Sequence, residues 1–408
     1  MTNNLQKVRE AAISLQRVTE QERNAFLRHL TALLGKRKKQ ILRANEKDVA
    51  DARKNKLARA FVQRLVFDAH ALSDLQAKVR GVEKLKSRLG EIMESRFLKK
   101  GLMLKKVRTP IGVMLVIYES RPEVTIDVAA LCLKSGNAAL LKGGSEAKRT
   151  NEALFACIQA ALEASGFMKE TVCLVRDRAA VQKLLKRSDY IDLVIARGGY
   201  GLVKHVINES TIPVLAHAAG GARVFVDKSA DLAMAERILI NAKTSKPAAC
   251  NSLDTILLHE KIAQKFLRRI VDRMHAKGVR VSGDAKVRRI VSVKAARESD
   301  WKREFLGLAV AIKIVRDARE ALSFINTYSK RHTEGLIASD KKVIKEFTKS
   351  VDAAALFVNA STRLHDGYVF GLGSEMGISS GKLHARGPVG LQELTTYKWV
   401  VYGKGHIR

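Results

Sequence analysis

Cysteine is scarce in this chain: four of 408 residues, Cys132, Cys157, Cys173 and Cys250, lie at long, irregular intervals and never as Cys-x-x-Cys. That spacing offers neither a zinc site nor a disulfide framework, so no metal is expected. Aromatic residues are only 5% of the chain, which leaves few stacking platforms for single-stranded nucleic acid. No apolar run approaches the ~20 residues that cross a bilayer. The opening Met-Thr-Asn-Asn-Leu-Gln-Lys lacks the apolar core of a signal peptide, so a cytoplasmic location without membrane contact is expected. The Gly-x-Gly-x-x-Gly fingerprint of dinucleotide folds is missing as well. Acidic residues are outnumbered, 41 Asp and Glu against 74 Lys and Arg, for a formal net charge of +33.

Such an excess of positive charge raises nucleic acid as a partner. The basic residues, however, are spread through amphipathic stretches such as Leu34-Gly-Lys-Arg-Lys-Lys39, Lys183-Leu-Leu-Lys-Arg187 and Lys341-Lys-Val-Ile-Lys345. Most of the charge therefore reads as solvated helix faces, with no specific nucleic-acid partner.

A hydrophobic content of 46% suffices for two or three domains, each with its own core. From about Leu5 to Arg88 apolar positions recur every three or four residues, as in packed helices; Phe26, Leu30, Leu33 and Leu34 make one stripe. Asn45 to Asp51 reads as a short polar junction before another helix. Gly101 to Pro110 alternates Leu102, Leu104 and Val107 with basic residues, as an exposed hairpin arm does. From Gly112 onward short apolar runs alternate with helical stretches: Val113 to Tyr118, Ala138 to Leu141, Thr171 to Val175, Asp192 to Ile195, Pro213 to Leu215 and Arg223 to Val226. The expected class is α/β with doubly wound parallel sheets, whose ligands sit at the carboxyl ends of strands. Gly143-Gly144 after Lys142 and Gly198-Gly199 after Arg197 fall at such ends, each leading into a helix whose N-terminus favours an anion. Ordinary turns use the same pairs.

The stretch Lys246-Pro-Ala-Ala-Cys-Asn-Ser-Leu-Asp254 stands apart. Pro247 favours a loop there, and Thr255-Ile-Leu-Leu258 has the length of a strand, so Cys250 is expected at the lip of an element. A substrate can reach a thiol in that place, and Lys243 and Lys246 favour the thiolate over the neutral form, whose pKa is near ~8.5. The competing reading is a small buried filler, the role expected of Cys132, Cys157 and Cys173.

Read together, Val116-Ile-Tyr-Glu-Ser-Arg-Pro122, Leu133-Lys-Ser-Gly-Asn-Ala138, Ala249-Cys-Asn-Ser-Leu-Asp254, Phe357-Val-Asn-Ala-Ser-Thr-Arg363, Phe370-Gly-Leu-Gly-Ser-Glu-Met-Gly-Ile-Ser379 and His384-Ala-Arg-Gly-Pro388 resemble the gamma-glutamyl phosphate reductases of the aldehyde dehydrogenase superfamily. The resemblance covers nearly the whole chain. It implies NADPH-dependent reduction of L-glutamyl 5-phosphate to L-glutamate 5-semialdehyde, a step toward proline. Cys250 would displace phosphate to give a thioacyl enzyme, which hydride then reduces. The oxyanion donors would be the Cys250 backbone N–H and Ser120 or a neighbour in its loop, with Asn251 in the same catalytic group.

For the cofactor NADP, the resemblance points to Lys142, Gly143, Gly144 and Ser145 at the adenosine ribose, Gly198 and Gly199 beside the pyrophosphate and nicotinamide, and Glu304 at the nicotinamide ribose. For substrate it points to Lys246, His217, Arg363, His384 and Arg386. The glutamate base of hydrolytic relatives has no counterpart in Val214-Leu-Ala-His-Ala218, as suits an enzyme that exchanges phosphate and not water. Glu123, Ala196, Ala219, Ala222-Arg223 and Lys246 depart from the family pattern, and put substrate affinity in question more than reaction type.

The implied architecture is aldehyde dehydrogenase-like. It has a cofactor domain over 1–245, a catalytic domain over 246–390 and an oligomerisation arm that joins 101–110 to a strand in 391–408. Thr395 to Tyr402, β-branched and aromatic, suits addition to another subunit's sheet, so a homo-oligomer of at least two copies is expected. A separate glutamate 5-kinase is the implied functional partner. Two other readings stay open: an acylating aldehyde dehydrogenase for another acyl phosphate or a coenzyme A thioester, and a catalytically impaired relative that acts as a basic binding protein.

Overall fold

The computed structural model describes residues 2–98, 101–119, 121–216 and 220–407. They fall into two compact units: Met1–Ala216 with Gly371–Gly377 and Pro388–Arg408, and His217–Phe370 with Ile378–Gly387.

The first unit opens on helices whose apolar stripes meet, with Phe26, Leu30 and Leu34 fully buried. Two antiparallel strands follow, β1 (Ile92–Phe97) and β2 (Met103–Pro110). Along its whole length β2 also pairs with Thr395–Tyr402, so the hairpin arm and the C-terminal strand form one three-stranded ribbon. A parallel sheet comes next: β3 (Val113–Tyr118), β4 (Ala138–Lys142), β5 (Val172–Leu174), β6 (Leu193–Arg197) and β7 (Val214–Ala216). Every residue of β3 is buried, which is why it reads as an unbroken apolar run. In the order β5-β4-β3-β6-β7 the chain winds outward from β3 and then returns to β6. The crevice between the carboxyl ends of β3 and β6 is thus a topological switch point, where such sheets bind ligands.

The polar run Asn45–Asp51 is not a junction; it lies inside the helix Lys38–Lys54. Asn45 and Asp48 are buried because their side chains hold other elements. The Asn45 carboxamide donates to the Leu65 carbonyl at 2.9 Å and accepts the Phe67 N–H at 2.8 Å. Asp48 accepts the Thr150 N–H at 2.8 Å and its hydroxyl at 2.7 Å.

The second unit is a seven-stranded parallel sheet built from β8 (Ala222–Val226), β9 (Leu253–His259), β10 (Arg280–Gly283), β11 (Lys294–Ala295), β12 (Ala309–Val315), β13 (Thr333–Ile337) and β14 (Ala355–Val358). Its order is β11-β10-β12-β9-β8-β13-β14. The helix Glu260–Ala276 covers one face with Ile262, Phe266, Ile270 and Met274, spaced at helical period; Phe225, Leu257, Ile325 and Phe347 fill the other. β8 pairs with β9 and β13, so the compact units divide at 216/217 and not near 245. Runs of short apolar strands do not disclose which sheet each one joins.

Candidate active site

In the second unit, Cys250 sits on a tight turn just before β9. The Ala249 N–H donates to the Lys246 carbonyl and the Ser252 N–H to the Ala249 carbonyl, both at 3.0 Å. Cys250 is partly exposed and Cys132 and Cys157 are buried; Cys173, expected to be buried too, is also partly exposed, but its surroundings push its thiol up to about 11. Its carbonyl accepts the Gly221 N–H at 2.6 Å. A Cβ on Gly220 would lie 2.4 to 2.7 Å from the Cys250 backbone and Cβ, and Gly221 adopts φ +105°. Both glycines are required, the first by close approach and the second by backbone conformation. Sequence reasoning missed this pair. The signal was available, since Ala218-Ala-Gly-Gly-Ala222 is a third Gly-Gly pair ahead of a strand.

Asn251 is buried, and its side chain is committed on both sides. Its carboxamide donates to the His365 carbonyl at 2.8 Å and its oxygen accepts from Arg363 Nη1. Thr362 Oγ1 donates to the Asn251 carbonyl at 2.8 Å. Behind them the Thr333 hydroxyl bridges two buried imidazoles, 2.6 Å from His332 Nδ1 and 2.8 Å from His365 Nδ1. The turn that carries Thr362 and Arg363 is therefore pinned to the residue after Cys250. Burial pushes the Arg363 guanidinium down from its usual range, and the neighbouring Cys250 and Asp366 push the other way.

Lys243, expected beside the thiol, is fully buried and pairs with Asp254 at 3.4 Å. Burial lowers the lysine and raises the aspartate. The same Asp254 oxygen accepts the Phe305 N–H at 3.3 Å, which ties the segment carrying Glu304 to β9. Arg223 and Glu334 form a second buried pair at 3.2 Å, and the Arg223 N–H donates to Glu334 at 3.1 Å. Burial pushes the Glu334 carboxyl up to about 7 against the pull of Arg223. Arg386 donates to Asp352 at 2.7 Å, and Lys382 and Arg331 approach the same carboxylate at 3.1 and 3.7 Å. Lys246 is exposed on the Cys250 turn, and His384 belongs to the segment that leads to Arg386. Ser120 and His217 lie outside the described residues.

Six of the seven expected cofactor residues lie in the first unit, at the carboxyl ends of strands, and Glu304 lies in the second. Lys142 ends β4, and its ammonium donates to the Gly143 carbonyl at 2.7 Å. Burial lowers its pKa, and Glu146 opposes that. A Cβ on Gly143 would lie 2.2 Å from Asn151 Nδ2, and one on Gly144 would lie 2.0 Å from the Glu146 carboxylate. Ser145 and Glu146 face a cavity of about 570 Å³ shared with Asp48, Asp51, Lys148 and Arg149. The N-terminus of the helix Lys148–Ala164, expected to favour an anion, is already capped by Asp48, which accepts the N–H groups of Arg149 and Thr150. At the switch point Glu119 accepts the Gly199 N–H at 2.7 Å. Any side chain on Gly198 would strike that carboxylate, at 2.6 Å. Arg197 Nη1 is buried there with no hydrogen-bond partner among the described residues.

The two units thus hold a partly exposed thiol backed by a fixed arginine, and glycine turns at a switch point. A model of the aldehyde dehydrogenase family fits residues 2–298, and the chain belongs to that family. It is 43% identical over 409 residues to gamma-glutamyl phosphate reductase of Carboxydothermus hydrogenoformans, across 100% of this chain and 99% of that one. The crystal structure of gamma-glutamyl phosphate reductase from Thermotoga maritima is 42% identical and superposes with a TM-score of 0.97 over 100% of this chain and 99% of its own. An acetylating aldehyde dehydrogenase from Geobacillus thermoglucosidasius, 17% identical with a TM-score of 0.71 over 100% of this chain and 97% of its own, shares the fold. Within its family the chain groups with the gamma-glutamyl phosphate reductases.

Aldehyde dehydrogenases use a nicotinamide cofactor, and the first unit fits one. At the switch point the Glu119 carboxylate fills the space at Gly198 and takes the Gly199 N–H, so a pyrophosphate there has to displace it, while the orphaned Arg197 donor suits a phosphate oxygen. Among the described residues no helix is long and apolar enough to cross a membrane, and no cluster of metal-ligating side chains occurs.

Proposed function

We propose that this protein reduces L-glutamyl 5-phosphate to L-glutamate 5-semialdehyde and phosphate with NADPH, in proline biosynthesis. The observation that carries the reading is the seating of Cys250: a partly exposed thiol on a turn held by Gly220 and Gly221, in a chain 43% identical over its length to a gamma-glutamyl phosphate reductase. The Cys250 thiolate adds to the acyl phosphate carbonyl, phosphate departs with the electron pair of the broken C–O bond, and a thioester stays on Cys250. The Cys250 backbone N–H meets the oxygen that gains charge; a lost donor in comparable sites costs ~3 kcal/mol. When bound, the nicotinamide nucleotide supplies the hydride that reduces the thioester carbon. Collapse of the thiohemiacetal returns the aldehyde and the free thiolate.

Lys142 and Ser145 take the adenosine ribose, where a serine in place of an acid suits the 2′-phosphate of NADP. Gly198 and Gly199 take the pyrophosphate and Glu304 the nicotinamide ribose. Arg363, Arg386, His384, Lys246 and His217 serve the two charged ends of the substrate. A separate glutamate 5-kinase provides the acyl phosphate, and both work in the cytoplasm. The ribbon edge formed by Thr395–Tyr402 exposes Tyr397, Trp399 and Val401, a surface suited to a second copy.

The test runs the reaction in reverse, with glutamate semialdehyde, phosphate and NADP, and follows NADPH absorbance. Turnover that depends on phosphate supports the assignment. Turnover that needs coenzyme A, or none at all with intact nucleotide binding, overturns it.

A further inference from the structure

We propose that Arg363 is the charge partner of the Cys250 thiolate, in addition to any contact it makes with substrate. The lysines that sequence proximity suggests are poorly placed for this work. Lys243 is enclosed and its charge is met by Asp254 at 3.4 Å, and Lys246 is exposed, so solvent screens its charge. Arg363 is 113 residues away in sequence, yet it is fastened to the residue that follows Cys250. Its Nη1 donates to the Asn251 side chain, and the preceding Thr362 hydroxyl donates to the Asn251 carbonyl at 2.8 Å.

Asn251 cannot swing away, because its own carboxamide is held by the His365 carbonyl at 2.8 Å and the His365 ring is hydrogen-bonded to the buried Thr333. The guanidinium is therefore held by a rigid chain of contacts against the residue that follows Cys250, close enough for its charge to act on that thiol. Its Nε is buried and has no hydrogen-bond partner among the described residues, so donor capacity is left on the group. A fixed, half-buried cation keeps more of its field than a solvated lysine does, and a cation beside a cysteine stabilises the thiolate. Arginine also keeps its charge at every working pH.

The inference rests on Cys250 being the nucleophile, and its test reads the thiol without any turnover. The rate of Cys250 alkylation by iodoacetamide is followed from pH 5 to 10 in the full chain, with the modified peptide identified by mass spectrometry. Arg363→Gln keeps a donor for Asn251 without the charge, and Arg363→Lys restores the charge. The expected result is that Arg363→Gln moves the pH midpoint of alkylation up by about one unit and slows labelling at pH 7 ~10-fold, and that Arg363→Lys recovers most of the loss. An unchanged midpoint in Arg363→Gln, or an equal loss in both variants, overturns the proposal. If Cys250 proved dispensable for turnover, the functional reading would fail while this profile would still decide the charge partner.

Discussion

The two parallel sheets of this chain share an architecture and place their chemistry at opposite edges. In the five-stranded sheet the expected cofactor residues follow the carboxyl ends of β4 and β6, where the outward and return windings of the chain meet. In the seven-stranded sheet Cys250 precedes β9, Gly220 precedes β8 and the His332–Thr333 pair opens β13, so the chemistry gathers at the amino ends. A general rule of open α/β sheets points to the first cluster and not to the second. Fold topology suggests where a nucleotide would lie, whereas the proposed nucleophile has to be argued from its own side chains.

The sharpest way to break this contrast is to remove the thiol. Cys250→Ala is expected to lower turnover by at least ~10³-fold, as loss of a nucleophile does, while NADP binding measured by fluorescence titration stays within about twofold. Equal loss of nucleotide binding would show that the two sheets do not divide the work.

A smaller effect separates the glycines of the two edges. Gly220→Ala forces its Cβ to 2.4 to 2.7 Å from Cys250 atoms; relieving that clash needs a shift on the order of 1 Å, which costs a reacting group ~10²-fold. The loss should appear in kcat, with iodoacetamide labelling of Cys250 slowed in parallel. Gly198→Ala instead meets the Glu119 carboxylate and should raise the KM for nucleotide with labelling unchanged. The reverse pattern would exchange the roles assigned to the two edges.

The ribbon gives a third contrast, between apolar residues that fill a core and those left bare. Trp399 and Val401 are exposed on an edge strand. Sedimentation at micromolar concentration is expected to show at least a dimer, which Val401→Lys should shift toward monomer. A wild-type protein that sediments only as monomer refutes the arm's role.

How much of this could be read from the chain follows the range of the interactions. Strands such as β3 announce themselves because both faces are buried, and Cys250 because a proline-bearing loop meets an apolar run. The glycine turns at Gly143 and Gly198 were legible for the same local reason. Arg363 as partner of Asn251, Asp48 as cap of a helix that starts at Lys148, and β8 as a member of the second sheet all depend on contacts between residues some thirty to more than a hundred positions apart. Asn45 and Asp48 misled for a physical reason: buried polar groups that hold neighbouring elements look, in sequence, like solvent-facing loop.

The smallest expected effect concerns the buried pair Arg223–Glu334, which lies on neighbouring strands β8 and β13 of the second sheet. Burial holds the Glu334 carboxyl protonated up to about 7, whereas in the unfolded chain it ionises near its ordinary value of 4.5. Between those limits the folded state carries more protons than the unfolded one. Stability from this group is therefore complete below about pH 4.5, declines as pH rises to about 7, and is flat above that. The interval bounds the effect at roughly 3 kcal/mol. Gln in place of Glu334 imitates the protonated carboxyl, so Glu334→Gln should match the wild type near pH 5 and lose the decline between pH 5 and 7.5 in urea unfolding. Asp254 adds a decline of the same sign in both proteins, so the difference between the two profiles is the quantity to compare. If the two slopes coincide, Glu334 is already ionised at pH 5, and the pair is then an ordinary buried salt bridge held by Arg223.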